Sequence, residues 1–177
     1  MDKTVKDITD WFLQQDINFE GLKSFCETKI SMPGGITRTL EKDAELPTED
    51  TPIASSGLFM AYKIFDIRRN GNVQSVRELL TNNFNTSRIS GALYYPAGGF
   101  MGWHTNSNHP GPRVYVSYSF EDQQNTFTYI KNGEKVVSYD RKGFTARYFE
   151  VSDSTLFWHR VDAKSPRFSL GFKQESC

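Results

Sequence analysis

The chain contains three histidines, His104, His109 and His159, all in its second half. His104 closes the segment Gly99-Phe100-Met101-Gly102-Trp103-His104, and His159 stands within Leu156-Phe157-Trp158-His159-Arg160-Val161. Eight residues beyond His159 comes Arg167-Phe168-Ser169, whose first and third side chains share a face if the segment is extended. Neutral imidazoles from two facing strands bind a single metal ion. An inward arginine grips a carboxylate through its planar fork, and a serine hydroxyl adds a further bond. Neutral imidazole suits Fe(II), and two histidines plus a carboxylate on one face of the ion leave open positions for a bidentate 2-oxo acid and for O2. A strand histidine on its own is more often a packing residue than a ligand, so the metal reading depends on Arg167 and Ser169 following the pair.

The remaining polar candidates read less specifically. His109, in Ser107-Asn108-His109-Pro110-Gly111-Pro112, fits a solvent-facing turn. Its other reading is a third imidazole on the metal, with Arg167 then holding a substrate carboxylate. Arg113 follows that turn, either as a strand-edge arginine or as a substrate clamp at the mouth of the site. Trp103 and Trp158 precede the two histidines and alternate to the opposite face, as core residues do. Asp162 reaches a metal shared with His159 only if its strand bends.

These side chains need a sheet scaffold to converge. Beyond Ser87 the sequence breaks into short β-branched and aromatic runs separated by glycine, proline and asparagine. Strands are predicted at 89–95, 101–105, 113–119, 126–130, 135–139, 146–151, 155–161 and 167–172. Asn132-Gly133, between the fourth and fifth, signals a two-residue hairpin. Eight such strands suit a jelly roll: a mainly β fold with flanking α-helices, cupin-like in form. Upstream, Val5, Ile8, Trp11 and Phe12 recur at helical spacing over the first fifteen or so residues. A second short helix is expected over 21–29, a strand over 57–67, and a helix carrying Val76, Leu79, Leu80 and Phe84. The acidic stretch 39–52 reads as a solvated loop, with a lid as its functional alternative. The expected organisation is one domain over 1–177, with 1–87 as helical and mixed support and 88–173 as the double-stranded β-helix core.

With these residues in place, residues 89–173 resemble the Fe(II)/2-oxoglutarate-dependent oxygenase superfamily. Its motif is a histidine, any residue and an acid, then a distal histidine, then Arg-x-Ser on the next strand. Here those positions are His104-Thr105-Asn106, His159 and Arg167-Phe168-Ser169. Tyr94-Tyr95-Pro96 ahead of Gly98-Gly99 is also similar, since strand-borne tyrosines of the family commonly touch the co-substrate. The resemblance implies Fe(II) on His104, Asn106 and His159, 2-oxoglutarate on Arg167, Ser169 and Tyr95, O2 as oxidant, and a substrate near Arg113. It implies hydroxylation of an unactivated C–H bond in a small molecule or peptide. The chain departs from the motif at one point, where Asn106 replaces the acid and provides a carbonyl oxygen without charge. Asn106 then either ligates through oxygen or orients a water, or the site is a degenerate one with another metal or none. Two rivals remain at this level: a three-histidine cupin dioxygenase that does not use 2-oxoglutarate, and a non-catalytic cupin-like binding module.

Composition limits the remaining classes. Across 177 residues, 21 basic and 21 acidic side chains cancel, so no broad positive field favours nucleic acid or an anionic membrane. No apolar run approaches the ~20 residues of a membrane span. The N-terminus lacks the apolar core of a secretory signal, and a cytoplasmic protein is expected. The two cysteines, Cys26 and Cys177, are read as free thiols.

Overall fold

The computed structural model describes residues 10, 13, 14, 17–31, 61, 62, 65, 66, 86–105, 110–152 and 156–174. In chain order they form helix α1 (Phe19–Ser31) and strands β1 (Ala61–Tyr62), β2 (Phe65–Asp66), β3 (Thr86–Tyr95), β4 (Phe100–His104), β5 (Gly111–Ser119), β6 (Asn125–Lys131), β7 (Glu134–Tyr139), β8 (Gly143–Val151), β9 (His159–Ala163) and β10 (Arg167–Gln174).

Asn132 and Gly133 adopt φ values of 53° and 78°. A type I′ turn requires positive φ at both positions, and this one returns β6 onto β7 with Lys131 opposite Glu134. Further pairings of this antiparallel kind build two five-stranded sheets, ordered β1-β4-β9-β6-β7 and β2-β3-β10-β5-β8. From β3 onward each strand lies in the opposite sheet from the one before it, except at the β6–β7 hairpin, which is the winding of a jelly roll. The mainly β, double-stranded β-helix architecture expected from the sequence is therefore the fold.

Alternation along the strands separates two apolar clusters. Phe168, Leu170 and Phe172 of β10 face outward with Tyr94, Val114 and Val116, and α1 covers them with Phe19, Leu22 and Cys26. Asn18 caps the helix: its side-chain oxygen accepts from the Gly21 amide at 2.8 Å, satisfying a donor that the helix start leaves open. Phe19 stacks on Tyr118 with centroids 3.9 Å apart and also touches Phe144 and Phe168. The Cys26 thiol is fully buried beneath α1, and burial pushes its pKa up to about 12, so it stays a protonated, unbridged thiol. The other cluster, Tyr95, Met101, Tyr115, Phe127, Phe157 and Val161 among others, fills the space between the sheets.

Some sequence expectations change. Of the strand predicted over 57–67, the described residues form two short segments, with β1 pairing in one sheet and β2 in the other. The seventh core strand begins at His159 rather than 155: the Trp158 amide turns back to the Leu156 carbonyl at 3.1 Å, while its carbonyl accepts from Ile130 of β6 at 3.0 Å. The helix expected over 21–29 runs from Phe19 to Ser31. Most of the N-terminal helix, the 39–52 loop and the helix bearing Val76 and Leu79 lie outside the described residues. Among the described residues no helix is long and apolar enough to cross a membrane.

Because Phe19 fastens α1 to the outer sheet face, Phe19→Ala should cost about 3 kcal/mol in urea unfolding. A loss under about 1 kcal/mol would mean that the helix is not held by this contact.

Candidate functional site

His104 and His159 are direct partners across β4 and β9. Both rings are buried, with centroids 4.0 Å apart and planes tilted by 52°. Each Nδ1 lies against the carbonyl two residues earlier, Gly102 at 2.7 Å and Phe157 at 2.9 Å. A carbonyl oxygen only accepts, so Nδ1 carries the proton in both rings and Nε2 keeps the lone pair. The backbone thus fixes both imidazoles in the tautomer whose Nε2 carries the lone pair, the atom through which such a ring could ligate a metal.

A bulge accounts for how His104 reaches the interior. Met101 pairs with Val161 and His104 with His159, so three steps along β4 match two along β9. One extra residue lets Met101 and His104 both face inward while Trp103 is buried elsewhere, against Arg160 at 5.9 Å. Plain alternation would have turned Met101 outward together with Trp103.

Burial lowers the His104 pKa to about 4, against the opposing pull of its bond to Gly102. His159 lies well below the ordinary histidine value, through burial first, then the neighbouring His104 and the charge of Arg113. An aromatic wall provides the low-dielectric surroundings. Phe127 and Phe157 stack on the His159 ring at 5.2 and 4.9 Å, and Tyr115 tilts against it at 5.6 Å. Both rings are therefore neutral at physiological pH, the form in which imidazole donates to a metal. Two fixed, neutral imidazoles sharing one small volume fit a single borderline cation such as Fe(II). Among the described residues no group of three histidine, cysteine, aspartate or glutamate side chains converges. Asn106 and His109, the other ligand candidates, lie outside the described residues. Asp162 points away from the histidines, gripped by Arg160 at 2.7 and 2.8 Å.

Arg167 opens β10 between Tyr95 on β3 and Ser119 on β5, and only 1% of it is exposed. Its Nε donates to Asp140 Oδ2 at 2.7 Å, while its buried Nη1 makes no hydrogen bond. The Nε edge that the sequence reading assigned to a carboxylate grip is thus occupied by Asp140, which leaves the Nη side of the guanidinium. Ser169, half-buried, follows on the same face. The Tyr95 ring lies 5.4 Å from the Arg167 guanidinium, with its hydroxyl on Met101 Sδ at 3.8 Å; burial raises the pKa of that hydroxyl. Arg113 is 1% exposed on β5, and it is this arginine whose charge depresses His159.

Asp140 and Arg147 were not singled out from the sequence. Asp140 follows β7 in Tyr139-Asp140-Arg141, where an acid reads as an ordinary turn residue. It is fully buried, and Oδ1 accepts from Ser117 Oγ at 2.9 Å and pairs with Arg147 at 2.8 Å. Burial opposes its ionisation, but Arg167 and Arg147 outweigh that and hold the carboxyl below its ordinary value. Arg147 had a legible signal: it shares strand parity with Phe149 and Val151, which face the interior.

No family model matches the chain, and no curated protein matches it. Among solved structures, a Pseudomonas putida prolyl-4-hydroxylase is similar over 88% of this chain and 85% of its own, at 13% identity and a TM-score of 0.43. An oxidoreductase of the 2OG-Fe(II) oxygenase family from Burkholderia pseudomallei is similar at 13% identity and a TM-score of 0.42, over 59% of this chain and 58% of its own. A cupin domain from Bordetella pertussis is similar over 51% of this chain and 85% of its own, at 15% identity and a TM-score of 0.32. At these identities and scores the likenesses assign no activity, metal or substrate to this chain.

The buried histidines make stability pH-dependent in the metal-free protein. Between the unfolded histidine value of 6.5 and the folded value of about 4, the unfolded chain binds a proton that folded His104 refuses. Stability is then present above pH 6.5 and is lost as pH falls, by about 2 kcal/mol from this ring by pH 5. His159 adds to the loss in the same direction. Urea unfolding at pH 7 and pH 5 checks this, and His104→Asn should flatten the slope. Equal stability of wild type at both pH values would contradict the burial of neutral rings.

Proposed function

We propose that the protein is a non-haem Fe(II)- and 2-oxoglutarate-dependent oxygenase that hydroxylates an unactivated C–H bond of a small-molecule or peptide substrate. The reading is carried by the in-register His104–His159 pair, fixed in the Nε2-ligating tautomer between the two sheets of a jelly roll. The unsatisfied Nη1 of Arg167 on the last strand supports it further, because a buried guanidinium nitrogen without an acceptor is costly unless a ligand supplies one.

In this reading His104 and His159 hold the iron, and Asn106 offers its amide oxygen as the uncharged third donor. When bound, Fe(II) with 2-oxoglutarate and O2 supplies the oxidation: the co-substrate becomes succinate and CO2, and one oxygen atom passes to the substrate as a hydroxyl. The protein's own groups position and dry the site. Arg167 receives the far carboxylate of 2-oxoglutarate on its Nη side, and Ser169 adds a hydroxyl bond beside it. Tyr95 packs along the Arg167 guanidinium and limits its swing. Phe127, Phe157 and Tyr115 exclude water from the His159 ring. Arg113 holds an anionic or hydrogen-bonding group of the substrate near the histidines.

Calorimetry with Mn(II) in place of Fe(II), with and without 2-oxoglutarate, tests the assignment. His104→Ala and His159→Ala should each abolish metal binding while the fold persists. Arg167→Ala should weaken 2-oxoglutarate about tenfold or more, a loss of ~1.4 kcal/mol, and leave the metal affinity unchanged. Metal binding that survives both histidine variants, or 2-oxoglutarate binding indifferent to Arg167, would overturn the proposal.

A separate measurement addresses the missing acid. Asn106→Asp places a negative charge beside a dication and should tighten Mn(II) about tenfold or more. Equal affinity in the two proteins would mean that position 106 does not face the metal.

A further inference from the structure

Arg147 uses every nitrogen of its guanidinium on the protein itself. Nε donates to Ser138 Oγ at 2.9 Å and Nη2 to the Ser138 carbonyl at 3.2 Å, while Nη1 pairs with Asp140 at 2.8 Å and reaches Ser117 Oγ at 3.4 Å. Four of its five N–H groups are thereby engaged, and each of its three nitrogens has a protein acceptor. Asp140 is similarly saturated by Ser117, Arg147 and Arg167, and its backbone amide is tied to the Asn125 carbonyl. Arg167 differs, since it spends Nε on Asp140 and keeps a buried Nη1 without a partner. Among the described residues the cluster thus contains one carboxylate and two guanidiniums. The cluster carries a net positive charge, and Arg167 is the member with a buried guanidinium nitrogen that has no acceptor.

We propose that Arg147 is a positioning residue that sets the charge of the carboxylate site: by neutralising Asp140 it leaves Arg167 one whole positive charge, so the site accepts one carboxylate group. This rests on Arg167 being the carboxylate holder proposed above. Asp140 fixes the guanidinium by its Nε edge, and Arg147 prevents that anchor from cancelling the charge it anchors. Without Arg147, Asp140 and Arg167 form a closed neutral pair, and an entering carboxylate meets a buried anion with no counter-charge to spare. In a space this dry, a unit change in net charge outweighs the loss of one hydrogen bond.

The test is a charge-balance cycle on metal-free protein, using calorimetry with two probes, glutarate and 2-oxoglutarate. Arg147→Gln takes the cluster from +1 to neutral and should weaken both diacids about tenfold or more. Arg147→Lys keeps the charge without the fork and should bind within about threefold of wild type. The decisive variant is Asp140→Asn combined with Arg147→Gln, which returns the cluster to +1 through Arg167 alone and should recover the affinity lost in Arg147→Gln. A purely structural role for Arg147 makes the opposite forecast, because removing a second member of the network would only add damage. A double variant as weak as Arg147→Gln, wild-type affinity in Arg147→Gln, or no diacid binding by metal-free wild type would each overturn the proposal. The oxygenase reading fails separately: if Mn(II) does not strengthen 2-oxoglutarate relative to glutarate while the charge cycle behaves as forecast, the carboxylate site stands and the co-substrate assignment falls.

Discussion

Asp140 has no exposure to water, and much of the interior depends on that carboxylate remaining ionised. It sits where β7 of one sheet passes to β8 of the other, and it bonds to both layers: its amide to Asn125 on β6, its oxygens to Ser117, Arg147 and Arg167 on β5, β8 and β10. A buried charge is tolerated only when it is paired and fully hydrogen-bonded, and this one is. A neighbouring network, Asn125 with Ser119 and Ser165, closes the same end of the sandwich without charge. The polar end is thus rigid, and its single unsatisfied donor is Arg167 Nη1 among the atoms of this cluster.

The histidine pair follows a different principle. Its surroundings are aromatic, and two Nδ1 bonds to backbone carbonyls fix the tautomer. Neutral rings are inexpensive to bury, whereas imidazolium is not, so the same desolvation that depresses both pKa values keeps both Nε2 lone pairs ready for a metal. The sandwich therefore holds a neutral imidazole pair that feels the charge of Arg113, and a net-positive ion-pair cluster built on Asp140.

The strand pattern of the second half was legible because alternation and turn chemistry are local. Asn132-Gly133 dictates its hairpin, and Arg167 and Ser169 share a face by spacing alone. Features that depend on a partner strand were not legible. The β4 bulge exists only relative to β9, so nothing in Phe100-Met101-Gly102-Trp103-His104 reveals that Met101 and His104 both turn inward. The late start of β9 has the same origin, since Leu156-Phe157-Trp158 reads as strand but contributes packing. Asp140 escaped notice for a further reason: a charge in a turn reads as solvated, and only Arg147 and Arg167, brought to it by β8 and β10, make its burial possible. The histidine pair was anticipated. The spent Nε edge of Arg167 was not, because the fork's partner is 27 residues away in sequence.

In the proposed oxygenase, one ligand spans the neutral histidine pair and the Arg167 guanidinium. A crystal structure of the protein with Mn(II) and 2-oxoglutarate tests it most directly. The account predicts the metal on Nε2 of His104 and His159, the 2-oxo acid end on that metal, and the far carboxylate on Arg167 Nη1 with the Asp140 bond to Nε retained. A far carboxylate on Arg113, with Arg167 still closed on Asp140, or a metal held without both histidines, would contradict it.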